Sequence, residues 1–299
     1  MYKDIKISSL CENGYISQIV KVYPFKPQNN SQNGKNPLTI CSKNLLQLNS
    51  KLSGVSYKPK LHESIKKKKL MIIGVDSSHI KGKRTGIAMV ATINTTFTNF
   101  YNKEKIIFED KLEPFYYCIS SFIEEAIAEY KNLNDFLPEG IIIYRQGVSL
   151  QQRQFLFNEV KNIQKVCEKA EIMYDYILVN KKTTYKFFEK IQNEHQNPEQ
   201  GLLVFNDITN RNFFEFYIQP QKVTGGSATP TCFTVAFGNF DSSKIIPKLT
   251  FDLCHLYSNW QGPVRVPHVL KLAEKLSKMT AKYTERELHP NLTKSQAYL

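Results

Sequence analysis

Two apolar stretches of the chain end on polar side chains, the first of them a carboxylate that could pair with or coordinate a cation. Leu70-Met71-Ile72-Ile73-Gly74-Val75 is a short, β-branched-rich run that stops at Asp76, with Ser77, Ser78 and His79 behind it. A carboxylate at the end of a buried strand is costly unless it is paired, hydrogen-bonded or bound to a cation. Asp76 therefore reads either as an Asx-turn residue bonding the backbone of Ser78 or as part of a site. Ile141-Ile142-Ile143-Tyr144-Arg145-Gln146-Gly147 repeats the pattern, a buried run ending in polar groups. Two such strands point to one shared site at the carboxyl edge of a sheet. Earlier in the chain, Lys43, Gln47 and Lys51 recur at i, i+4 and i+8 of a helical pattern, hence on one polar stripe. Such a stripe is usually a solvated face.

The elements that must position these groups can be read in order. Ile5 to Ile7 and Tyr15 to Val20 are strand-like, and an Asn- and Gln-rich loop from Pro27 to Pro37 follows them. A helix is predicted from about Leu38 to Gly54, with Ile40, Leu45, Leu46 and Leu52 on roughly one face. Ile65-Lys66-Lys67-Lys68-Lys69 reads as a basic linker, with a nuclear-localisation or nucleic-acid patch as the other reading. Beyond it come strands at Leu70, at Ile87 to Ile93 and at Lys105 to Phe108, the first two joined by a basic turn, Lys81 to Gly86. A helix is predicted over Glu113 to Tyr130, with Pro114 in its first turn, and another over Leu150 to Ala170. Strands are predicted at 141 to 145, Ile172 to Val179, Phe213 to Ile218 and Cys232 to Phe237, and helices at Leu249 to Tyr257 and His268 to Glu287. The order predicts an α/β fold, a mixed sheet with helices on its faces.

At 299 residues the chain can bury a large core, and its net charge of +13 makes a polyanion the first partner to consider. A general lysine-rich bias accounts for part of that charge. The six cysteines, at 11, 41, 118, 167, 232 and 254, form no CxxC pair and have no His at zinc-ligand spacing. They read as small core residues of a reducing compartment. No apolar run reaches membrane-spanning length and the first residues do not read as a signal peptide. The expectation is an intracellular protein, cytoplasmic or nuclear, with no membrane partner.

Four motifs in order carry a more specific signal: Ile73-Gly74-Val75-Asp76-Ser77-Ser78-His79, Ile143-Tyr144-Arg145-Gln146-Gly147-Val148, Leu253 to Trp260 through Arg265-Val266-Pro267, and the end Ala297-Tyr298-Leu299. On these residues the chain, from about Gly14 onward, resembles the Argonaute/Piwi family and within it the Piwi branch. The resemblance implies a partial, Rossmann-like MID segment over residues 1–60, a basic linker over 61–70, and a ribonuclease-H-like PIWI domain over 71–299. It leaves out a PAZ domain, an N-terminal domain and the first part of MID, with its aromatic that stacks on the first base.

The family's chemistry is magnesium-dependent cleavage of a target RNA paired to a small guide, with carboxylates holding two cations at the scissile phosphate. Asp76 matches the first ligand. Glu113 matches the mobile Glu, with Glu109 and Asp110 as neighbours that compete for the assignment. The second Asp falls on Gln146 and the fourth ligand on Glu274. Gln146 removes a full negative charge, and the loss of one electrostatic element from such a site costs about 10²–10³ in rate. The catalytic frame Asp76, Glu113, Gln146 and Glu274 is therefore expected to be slicer-inactive, with metal binding at Asp76 weak or lost.

Guide binding is a separate matter. The resemblance implies a pocket for the guide 5′ phosphate made by Gln18, Gln47 and Lys51 with Lys43 on the same stripe, aided by a magnesium ion on the Leu299 carboxylate. Lys181, Lys182, Tyr257 and Arg265 fall where the family contacts the RNA backbone. The expected function is a small single-stranded RNA carrier that pairs with a complementary RNA target and acts through protein partners. An active guide-directed endoribonuclease and a regulatory protein with a vestigial pocket are the alternatives.

Overall fold

The computed structural model describes residues 1–20, 37–58, 61, 63–108, 113–206, 208–210, 212–240 and 245–299. The polar loop from Pro27 to Asn36 and the pair Glu109 and Asp110 lie outside the described residues.

The first residues are helical where strand was expected. Tyr2–Ile7 is helix α1, followed by a π-helical turn, Ser8–Glu12, and Tyr15 to Val20 joins no sheet. The reason is a polar one. Lys6 points inward and donates to the Ser17 carbonyl and hydroxyl at 3.2 and 3.0 Å.

Helix α2, Pro37–Lys51, matches its predicted span but not its predicted face. Leu45 and Leu52 are 66% and 61% exposed, whereas Ser50 and Lys51 are buried at 1% each. Its polar side is the packed side because Ser50 Oγ meets Ser258 Oγ at 2.7 Å and Lys51 Nζ donates to the Ser17 carbonyl at 2.7 Å. A short helix α3, Glu63–Lys66, follows, with Leu61 and Ile65 buried in the core. Lys68 and Lys69 lie over the rings of Phe240 and Phe136, 4.6 and 4.2 Å from their centroids, so part of the lysine run is held by cation–π contacts.

Strands β1 (Leu70–Ile80), β2 (Arg84–Thr92) and β3 (Phe100–Phe108) form an antiparallel ribbon. Helix α4 (Glu113–Asn134), strand β4 (Gly140–Gln146), helix α5 (Arg153–Lys169) and strand β5 (Met173–Asn180) come next. The following segment holds a short hairpin not foreseen from sequence, β6 (Glu189–Ile191) with β7 (Glu194–Gln196), and an edge strand β8 (Leu202–Phe205). Strands β9 (Phe214–Gln219) and β10 (Thr231–Gly238) and helices α6 (Ile246–Cys254) and α7 (His268–Lys278) complete the fold. The last predicted helix stops at Lys278 and gives way to a π-helical turn, Met279–Thr284.

One eight-stranded mixed sheet runs β3-β2-β1-β4-β5-β10-β9-β8, with β1, β4 and β5 parallel at its centre. The period-2 alternation sorts side chains onto two faces. Met71, Ile73, Val75, Ile141 and Ile143 pack under α4 and α5, while Leu70, Ile72, Ile142 and Tyr144 pack under α6 and α7. β1 does not end at Asp76. It continues to Ile80, paired with β2 as far as Arg84, because the basic turn is a hairpin with Gly82 at φ +69°.

Gly74 decides how α7 sits. It lies on the α7 face between Ile72 and Asp76, and a Cβ there would come within 2.4 Å of the Leu270 nitrogen and the Val269 carbonyl carbon. Only a glycine lets the helix backbone rest on the strand. Gly74→Ala is expected to cost at least about 1–3 kcal/mol, since the clash is with backbone that cannot rotate away. Equilibrium urea unfolding measures it, and an unchanged midpoint would show that α7 is free to shift.

Candidate nucleic-acid interface

The parallel centre of the sheet brings three predicted residues to one edge. Val75 pairs with Arg145, and Asp76 and Gln146 follow them; Gln146 pairs with Val179 on β5, two residues before Lys181. Alternation puts Asp76, Gln146 and Lys181 on the α7 face, where the next turn of that helix presents Glu274 and Ser277.

Asp76 is 3% exposed and accepts a hydrogen bond from Ser277 Oγ at 2.9 Å. Burial raises its pKa above the ordinary carboxylate value; the Ser277 bond and the charges of Arg145 and Lys181 oppose this, and Glu274 adds to it. The Asx-turn reading is thereby replaced: the carboxylate bonds a helix residue 201 positions away in sequence.

Glu274 is encircled by lysines. Lys278 and Lys181 donate to it at 2.6 and 3.0 Å, and Lys271 at 3.1 Å. Burial by itself would raise its pKa, but the bond from Lys278 and the charges of Lys181 and Lys271 outweigh burial and lower it to about 2. Gln146 keeps its side-chain oxygen buried without a hydrogen-bond partner. Beside it a cavity of about 670 Å³ opens between the loop after β4 and the residues after β5, with Lys181, Lys182 and Tyr185 in its wall. Glu113 opens α4, and its side chain lies outside the described residues. His268 is fully buried with its ring 3.0 Å from the Phe97 carbonyl, and burial lowers its pKa to about 4, so it is a neutral core histidine.

The donor set at this edge does not fit a pair of dications. Two-cation sites gather carboxylates of unspent charge. Here one position is an amide, and Glu274 already spends its charge on three ammonium groups. Among the described residues no three His, Cys, Asp or Glu side chains converge.

Behind the edge, the far face of β4 carries Arg145, which is fully buried and pairs with fully buried Glu159 of α5 at 3.0 Å. Tyr176 donates to the same carboxylate at 2.6 Å. Arg145 also donates to the Gln146 carbonyl, so this buried network holds the end of β4 in place.

A second site lies beside the last turn of α7, where Lys275 and Lys278 face a separate cavity. A cavity of about 310 Å³ is lined by Tyr2 and Lys6 of α1, Gln18, Gln47 and Lys51, Lys275 and Lys278, Tyr283, and the final residues Tyr298 and Leu299. No acidic side chain is among these residues. Gln18 donates to Gln47 at 3.0 Å, while its own side-chain oxygen is buried and unpartnered. Lys6 and Lys51 are 2% and 1% exposed and close enough to interact. Burial first, and then the charge of Lys6, lower the Lys51 pKa to about 7. Two buried lysines with no side-chain carboxylate in the cavity wall form a site suited to an anion.

The structure thus brings Gln18, Gln47, Lys51 and Leu299 together, and it adds Tyr2, Lys6, Lys275 and Lys278, which sequence reading missed. The i, i+4 spacing of Tyr2 and Lys6 was the available signal, hidden by reading residues 5–7 as a strand. Lys43 is not in the cavity; its ammonium lies 5.2 Å from the centroid of the Trp260 ring, two turns before Lys51. Tyr257 is buried at 4% and accepts a bond from Asn259. Arg265 donates to the Lys181 carbonyl at 2.7 Å, so it braces Lys181. All six cysteines are free thiols. No helix of the described residues is long and apolar enough to cross a membrane.

A mixed sheet with a polar carboxyl edge and helices on both faces is the frame of a ribonuclease-H-like fold. The family model "Piwi domain" matches residues 1–285, and the chain belongs to the Piwi family. It is similar to the Piwi-like protein Ago3 of Bombyx mori, 33% identical over 92% of this chain and 29% of the relative. It is similar also to protein argonaute-3 of Drosophila melanogaster, 32% identical over 90% of this chain and 31% of the relative. The chain spans about three-tenths of the length of these curated relatives. Among solved structures, that of Drosophila Piwi superposes with a TM-score of 0.83 at 26% identity, covering 100% of this chain and 40% of the other. The C-terminal lobe of a budding yeast Argonaute gives 0.83 at 18% identity over 100% of this chain and 67% of the other, a likeness of fold.

Proposed function

We propose that this protein binds a small single-stranded RNA by its 5′ phosphate, pairs it with a complementary RNA, and does not cut the target. The single observation that carries the reading is the cavity holding Lys6 and Lys51 as buried ammonium groups beside the amides of Gln18 and Gln47. A terminal phosphate is compact and doubly charged, and it would relieve the burial cost of both lysines. Tyr2, at the cavity wall and 5.6 Å from the Tyr283 ring centroid, supplies an aromatic of the kind the family sets against the first base. Among the described residues no side-chain carboxylate is available to share a magnesium ion with Leu299, and the lysines carry the cationic role in this reading.

Residues 1–60 are read as the later part of a MID domain, 61–70 as the connection and 71–299 as the PIWI domain. The absence of cutting rests on Gln146 and on the neutralised Glu274. Silencing or RNA processing then depends on recruited protein partners.

The test is to load purified protein with a 5′-phosphorylated guide and add a complementary RNA with magnesium or manganese. Guide and target are expected to be retained uncut. A product cut at one defined phosphate would overturn the non-slicing reading. Failure to retain any guide would point to a vestigial pocket.

A further inference from the structure

Among the described residues, the carboxyl edge differs from a metal site in more than one missing ligand, because its charge is inverted. Asp76 and Glu274 contribute two negative charges. The three ammonium groups in contact with Glu274, those of Lys181, Lys271 and Lys278, contribute three positive ones. A two-cation site waits for charge from solution; this one carries its own.

Lys181 is the group that stands among the others. It is 3.0 Å from Glu274, acts electrostatically on Asp76, and shares the wall of the 670 Å³ cavity with Gln146. Its position is fixed from both sides: it follows directly on β5, and its carbonyl accepts from Arg265 Nη2 at 2.7 Å. Lys271 and Lys278 belong to α7 itself and pair with Glu274 at i−3 and i+4, as surface helix pairs do. Lys181 comes from a different element and bridges the sheet edge to the helix. We propose that the Lys181 ammonium is a tethered cation that takes the place of a divalent metal at this edge and meets a backbone phosphate of bound RNA without one.

The physical argument is one of competition. An ammonium covalently held beside two carboxylates competes with any cation from solution at an effective concentration of roughly millimolar or higher, as a short tether gives. It donates hydrogen bonds to a carboxylate and can turn toward a phosphate oxygen, whereas a magnesium ion needs near-octahedral oxygen ligands. Restoring a carboxylate at position 146 therefore adds one charge to a site whose cation is already in place. The RNA half of the proposal rests on the guide-carrier reading; the metal half does not.

The experiment is a manganese titration followed by electron paramagnetic resonance on four forms: the unaltered protein, Gln146→Asp, Lys181→Met and the double variant. The unaltered protein and Gln146→Asp are expected to bind no manganese at this edge, and the double variant at least about tenfold more tightly than either. Equal binding by Gln146→Asp and the double variant, or none by the double variant, would overturn the proposal. Lys271 and Lys278 still pair with Glu274 in Lys181→Met, and Lys181→Gln keeps a polar group there and is expected to behave alike.

In parallel, guide-loaded protein is given a complementary RNA in EDTA and in magnesium at matched ionic strength. Affinity is expected to be the same in both, and Lys181→Met should lower the slope of log affinity against log salt by about one. A requirement for magnesium would overturn the proposal. If no RNA binds under any condition the guide-carrier reading fails, and the manganese titration alone decides the place of Lys181.

Discussion

Glu159→Ala is expected to destabilise the protein by about 3–5 kcal/mol, the largest stability effect of any single change considered. Arg145 and Glu159 are both 0% exposed and meet at 3.0 Å, so removing the carboxylate leaves a guanidinium charge in the core. Tyr176 loses its acceptor at the same time. The Gln146 carbonyl accepts from Arg145 but cannot neutralise it. Replacing both partners, as Arg145→Met with Glu159→Leu, should recover most of the loss, because the cost lies in a buried charge that has lost its contacting carboxylate. Urea unfolding monitored by circular dichroism decides this. A single variant as stable as the parent would mean that Arg145 finds water or another partner on relaxation. Since Arg145 directly precedes Gln146, the single variant should also loosen the carboxyl edge and reduce RNA affinity at temperatures where the protein is still folded.

Lys51→Glu is expected to weaken binding of a 5′-phosphorylated guide by about 10²–10³-fold, equivalent to about 3–4 kcal/mol, and to erase the preference over a 5′-hydroxyl guide. The side chain is 1% exposed and lines the cavity with Lys6, so reversal of its charge sets a carboxylate against the phosphate. Competition binding with the two guides measures it, and a preference that survives would place the phosphate elsewhere. Protonation gives an independent sign. Burial and the neighbouring Lys6 charge hold Lys51 at about 7, below its ordinary 10.5. For the free protein, the stability contributed by this group is fully present above 10.5 and lost as the pH falls through about 7, because the folded chain releases a proton that the unfolded chain keeps. Phosphate binding needs the ammonium and so works in the opposite sense: it should weaken as the pH rises above 7 and take up a proton at pH 8. Calorimetry in buffers of different ionisation heat reads that uptake.

Much of the frame is legible in the residues. Hydrophobic period and turn chemistry place β4 and β5 within a position and the starts of β1 and α7, since each strand is an apolar run bounded by charge; the ends of β1 and α7 are not legible there. The order of the motifs around Asp76, Gln146, Arg265 and Leu299 is a one-dimensional pattern and points to the family. What failed did so for local reasons. Ile5-Lys6-Ile7 alternates like a strand, yet forms a helix because Lys6 is drawn to the Ser17 backbone, a contact 11 residues away. Helix α2 shows an amphipathic pattern, yet packs by its polar side because the cavity it borders is polar.

Residue types settle which groups are available, and by themselves they determine that position 146 is an amide and position 274 a carboxylate. Only the tertiary structure decides what those groups meet. Glu274 reads from sequence as a spare metal ligand. In the fold it is neutralised by lysines at 271 and 278 on its own helix and by Lys181, directly after β5 and 93 residues away. Charge–charge energy depends on separation in space, and the separation of Lys181 from Glu274 is set by the register of β5 on β4 and by the glycine that lets α7 rest on β1.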